Sequence, residues 1–153
     1  MALAVVLALV AAVRPAAAVQ VDFLPKPDPD DGKTFRVLCF HDIRDNLRAS
    51  FETLPDAFAV DTKMLTNMFS WIQANGYHPV TLAQIDAARR GGKPLPKRPI
   101  LLTFDDGYES HYTKVFPLLK QFRFPAVFGL VTEWTNAPPG AKIKLSDKQI
   151  VPR

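Results

Sequence analysis

Two pairs of polar residues stand where apolar runs stop. Residues 100–104 (ILLTF) end at Asp105-Asp106-Gly107, and residues 35–40 (FRVLCF) end at His41-Asp42. Neighbouring carboxylates at the end of a buried strand repel one another in a partly dry site. A divalent ion on one of them offsets that repulsion and leaves the other free as a base toward water that the ion activates. Gly107 lets the backbone turn sharply and come close to a ligand. The same three residues also commonly build an ordinary surface turn. Spacing alone leaves these two readings even.

The elements that must position these residues can be read from periodicity. The runs at 35–40 and 100–104 carry β-branched and aromatic residues and predict buried strands, with Cys39 expected to pack in the core. Residues 43–59 show no period and are expected to form a loop. Leu65, Met68, Phe69 and Ile72 fall at i, i+3, i+4 and i+7, which predicts an amphipathic helix over 62–75, capped by Asp61 and ended at Gly76. A short strand is expected at 77–80. Thr81 and Gln84 form a capping box for a helix reaching Arg90, which Gly91-Gly92 stop. Another helical stretch starts near Glu109, with Pro117 at a helix start or kink, and residues 126–131 (AVFGLV) predict a last strand.

Strands alternating with helices imply βα units and a parallel sheet, whose ligand sites gather at the carboxyl ends of the strands. Those ends carry His41-Asp42 and Asp105-Asp106. His78 precedes its strand, falls at the opposite end and is read as structural. His111, early on the helix after Asp105-Asp106, is read as a solvated or packing residue.

Thr103-Phe104-Asp105-Asp106-Gly107 resembles the TFDDG motif of the polysaccharide deacetylases of carbohydrate esterase family four. The likeness extends to Cys39-Phe40-His41-Asp42, to residues 75–81 (NGYHPVT), to residues 101–108 and to Tyr112 with residues 117–120 (PLLK). Together these are similar to the periplasmic poly-β-1,6-N-acetylglucosamine N-deacetylases of biofilm matrix export. The resemblance runs from about residue 35 to the end of the chain. It implies an α/β fold, part of a distorted (β/α) barrel of the NodB homology type, incomplete at its C-terminus.

The resemblance also implies roles. Asp105 would be the general base and Asp106 the ligand of a divalent metal, whether zinc, nickel, cobalt or iron. His41 would orient the substrate or help protonate the leaving amine, with Asp42 and Tyr108 beside the sugar. For Asp42, hydrogen bonding to its own loop is an equally good reading. The family's metal site also needs two closely spaced histidines, and the chain's three, His41, His78 and His111, form no such pair. That motif is expected beyond Arg153, so the chain alone is expected to be inactive or nearly so. The implied reaction is hydrolysis of the acetamido group of an N-acetylglucosamine polysaccharide, with envelope export machinery as a further partner. A non-catalytic carbohydrate-binding or assembly module, and a peptidoglycan or chitin deacetylase, are the alternatives.

Composition narrows the rest. The 153 residues are 48% hydrophobic, enough for one domain with a core. Nineteen basic against fifteen acidic residues, without a basic run, argue against nucleic acid. Residues 1–18 are apolar apart from Arg14 and end in Ala16-Ala17-Ala18, which predicts a signal peptide and a periplasmic or cell-envelope location. The uninterrupted apolar run, residues 1–13, is shorter than the roughly 20 residues a membrane span needs, so no such span is expected. Residues 19–34, rich in Asp and Pro, read as a linker, and residues 35–153 as the N-terminal part of the deacetylase domain. A single cysteine excludes a disulfide within the chain.

Overall fold

The computed structural model describes residues 30–48, 57–132, 142–146 and 149–152. The expected leader at 1–18, most of the linker, and the central part of the loop at 43–59 lie outside the described residues. Four parallel strands make the main sheet: β1 (Arg36–Phe40), β4 (His78–Pro79), β5 (Pro99–Phe104) and β6 (Val127–Phe128). Strand β5 is its centre. Along one edge it pairs with all of β1, from Arg36↔Ile100 to Phe40↔Phe104. It also pairs with β4 at its start (Pro79↔Ile100) and with β6 at its end (Phe104↔Phe128).

Both faces of β5 are covered, which is why its sequence is apolar almost throughout. On one face Ile100, Leu102 and Phe104 pack against Leu65, Phe69 and Ile72 of α1 (Thr62–Ala74) and Val115 and Leu119 of the following helical stretch. On the other, Leu101 packs with Val80, Leu95, and Ile85 and Ala88 of α2 (Leu82–Arg89). The caps read from the sequence are formed: the Asp61 side chain accepts from Lys63 N, and Thr81 and Gln84 satisfy each other's backbone reciprocally.

The differences from expectation have local causes. Ile43 is buried, so its backbone cannot rely on water and needs a partner. Ser110 Oγ supplies it by accepting from Ile43 N, and beside it β2 (Ile43–Arg44) and β3 (Val60–Asp61) form a two-residue parallel ladder, with Val60 N donating to Asp42 O, where a featureless loop was expected. Strand β6 covers only two of the six residues predicted, because its partner β5 ends at Phe104. The stretch after Asp105-Asp106 opens as a wide π-helical turn, His111–Val115, and continues as α3 (Phe116–Phe122). Pro117 cannot donate to the carbonyl four residues back, and the backbone widens in the turn just before it.

At residues 31–34, Asp31 accepts from Lys33 N and Thr34 N, and Leu95 N donates to Gly32 O. Strands β7 (Lys142–Ser146) and β8 (Gln149–Pro152) form a separate antiparallel hairpin. No helix among the described residues is long and apolar enough to cross a membrane.

Candidate active site

The parallel register brings the two polar strand ends together. Cys39 lies opposite Thr103 and Phe40 opposite Phe104, and Asp105 N donates to Phe40 O at 2.9 Å. Asp105 therefore leaves β5 beside His41 as the latter leaves β1. The Asp105 carboxylate accepts a hydrogen bond from Cys39 Sγ at 3.2 Å. Asp106 turns to the other side, its Oδ2 4.0 Å from His41 Nε2, both side chains about 30% exposed. The ring of His41 thus lies near both of the carboxylates expected from the sequence.

The turn that separates Asp105 from Asp106 is left-handed at two successive residues, Asp106 (φ 76°) and Gly107 (φ 71°). Asp tolerates this conformation better than most residues with a Cβ. A Cβ on Gly107 would lie 2.9 Å from Leu130 Cδ2. Gly129 is the other necessary glycine: a Cβ there would sit 3.0 Å from Asp105 Oδ1, against the carboxylate itself. Gly129 N donates to Phe104 O, so the end of β6 keeps this gap beside the acid.

Asp42 is used differently. Its Oδ1 accepts from Ser110 Oγ at 2.8 Å and its Oδ2 from Arg44 Nε at 2.6 Å, while Ser110 Oγ also accepts from Ile43 N. Its carboxylate is engaged within the protein and ties the segment after β1 to the helix after β5. Each of its two oxygens thus accepts from a side chain of the protein. Tyr108 lies just past the turn and lines an apolar cavity of about 390 Å³ with Gly107, His111, Tyr112, Phe116, Phe128 and Leu130. His78 sits at the far end of the sheet, its Nδ1 at 2.8 Å from Lys97 O, away from the aspartates.

Sequence reasoning misplaced Cys39 and left open whether His111 is solvated or packed. Cys39 was expected in the core and is exposed instead, because β1 alternates: Leu38 and Phe40 face the packed layer while Val37 and Cys39 face away from it. Burial of the sulfur and the carboxylates of Asp105 and Asp106 push its thiol pKa up, so it stands as an S–H donor to Asp105.

The second is His111, buried at 5% exposure under the site, with Nε2 2.8 Å from His41 O. A carbonyl can only accept, so Nε2 carries the hydrogen and Nδ1 is a bare acceptor, buried without a partner among the described residues. Burial lowers the His111 pKa below its ordinary 6.5, against the opposing pull of the His41 carbonyl and the nearby aspartates. The unfolded chain then binds a proton that the folded one refuses, so stability is intact above pH 6.5 and falls as the pH drops below it. The urea midpoint of the wild type should therefore decline from about pH 7.5 to about pH 5.5 more steeply than that of His111→Gln, which keeps a donor for His41 O but does not titrate. Superimposable curves would refute the neutral, buried state.

A parallel sheet with acids gathered at its carboxyl rim is the framework of a polysaccharide deacetylase domain, and residues 92–150 match the family model described as Polysaccharide deacetylase. Over those residues the chain shares its sequence pattern with the polysaccharide deacetylase family. It is 41% identical over 126 residues to the poly-beta-1,6-N-acetyl-D-glucosamine N-deacetylase of Escherichia coli (strain K12), over 82% of this chain and 18% of that protein. Among solved structures it resembles the BpsB deacetylase domain of Bordetella bronchiseptica at 62% identity and TM-score 0.66, covering 82% of this chain and 48% of that one. A de-N-acetylase from Aggregatibacter actinomycetemcomitans matches at 32% identity and TM-score 0.68, over 77% of this chain and 45% of the other. The chain thus spans less than half the length of each of these relatives.

Proposed function

We propose that the protein carrying this chain removes acetyl groups from an N-acetylglucosamine polysaccharide, with poly-β-1,6-N-acetylglucosamine as the substrate class. The observation that carries this reading is that Asp105 and Asp106 both come close to His41 at the rim of the sheet. The relatives' names, which specify this amide hydrolysis, support it.

In this reading Asp105 takes the proton of the water that attacks the acetyl carbonyl. Its carboxylate is held by the Cys39 thiol and given room by Gly129. His41 faces the same space and is placed to hand a proton to the sugar nitrogen as the C–N bond breaks, releasing acetate and a free amine. Asp42, Ser110 and His111 fix the segment that bears His41. The Asp106 carboxylate offers an oxygen donor of the kind that a divalent ion of the zinc type takes. When bound there, such an ion supplies Lewis-acid polarisation of the carbonyl and lowers the pKa of water. The apolar leader at residues 1–18 supports export to the periplasm, where envelope export machinery would be the partner.

The test is acetate release from a soluble β-1,6-linked N-acetylglucosamine oligomer by the protein expressed from its complete reading frame. Turnover that a chelator abolishes and a divalent ion restores is the expected result. Saturable binding of the oligomer with no acetate released would instead favour a carbohydrate-binding module. Preference for chitin or peptidoglycan fragments would move the substrate within the family.

A further inference from the structure

Cys39, His41 and Asp105 each offer one ligand atom, and these three atoms all lie within 4.8 Å of one another. They come from two adjacent strand ends locked in register, so the grouping does not depend on a mobile loop. Asp106, the acid that the family resemblance gives to its metal, is not among them. We propose that these three residues form a second, thiolate-containing site for a zinc-type divalent ion, distinct from the one at Asp106.

The chemistry of the donors argues for it. One sulfur, one imidazole nitrogen and one carboxylate oxygen are the set that zinc and cobalt take in tetrahedral sites, with a solvent molecule as the fourth ligand. In such a site neighbouring ligand atoms stand about 3.5 Å apart, given metal–ligand lengths of about 2.0–2.3 Å. Cys39 Sγ and Asp105 Oδ2 already lie 3.2 Å apart. The widest pair must close by roughly an ångström, within the reach of side-chain rotation at His41. The thiol proton that now points at Asp105 leaves to solvent as the sulfur binds the ion. One consequence rests on the proposed function: an ion held by Asp105 removes the base, so excess metal inhibits deacetylation.

Binding is tested without turnover, by titrating the full chain with cobalt(II) alone and following ultraviolet and visible absorption. The chain has one cysteine, so any thiolate-to-cobalt band reports Cys39. The expected result is a band saturating near one equivalent, absent in Cys39→Ser, with affinity lowered at least roughly tenfold in His41→Ala and Asp105→Asn and unchanged in His78→Ala. Cobalt should also slow alkylation of Cys39 by iodoacetamide in the folded wild type but not in urea, a measurement that needs no variant to fold. Absence of the band or of that protection would overturn the site. So would an affinity in Asp105→Asn and His41→Ala equal to the wild type. Because no step reads acetate, failure here leaves the deacetylase reading standing, and failure of that reading leaves the site standing.

Discussion

Replacing Asp105 by Asn in the complete protein should lower kcat for acetate release by roughly 10²–10⁴ while KM changes little. Asn is nearly the same size, so it fits the gap that Gly129 leaves, and its carbonyl can still accept from the Cys39 thiol. What it cannot do is take a proton from water. The loss therefore belongs to the chemical step and not to the binding of the sugar, which is why kcat and KM should separate. Measuring both with an N-acetylglucosamine oligomer decides the matter. An Asn variant within a few-fold of wild-type kcat would remove Asp105 from its role as base.

The second large effect is on stability. Phe104 is fully buried, its ring 5.1 Å from that of Phe40, 5.5 Å from Phe128 and 5.7 Å from His111. It joins three strand ends and the helix below them, one residue before Asp105. Truncation to Ala should cost about 3–5 kcal/mol in unfolding free energy, because the cavity lies among rigid strand ends that cannot collapse into it. Phe104→Leu, which retains most of the volume, should cost much less. Denaturant unfolding of both variants checks this, and an Ala variant losing under about 1 kcal/mol would mean the stack is not a core at all.

Much of this arrangement was legible in the residues. The spacing of Leu65, Phe69 and Ile72 gave the buried face of α1, and Asp61, Thr81 and Gln84 gave the caps, since each depends on neighbours within one turn. The strand ends bearing His41 and Asp105 were legible because a buried parallel strand is apolar until it stops. Contacts set by distant residues were not. The β2–β3 ladder is two residues long on each side, too short to leave a periodic run of its own. Cys39 looked like core because an apolar run does not say which of its alternate residues faces a packed layer. His111 looked ordinary because its buried setting is made by Phe104, Tyr108 and Phe128 and by the His41 carbonyl.

The left-handed backbone at Asp106 bears on how such a protein can drift. That conformation admits Asn and Gly with little strain but penalises branched and bulky side chains. Aspartate codons reach both Asn and Gly by a single nucleotide change. Mutation at this position is therefore tilted toward replacements that keep the turn and discard the charge, a short path to descendants that still fold yet have lost the acid.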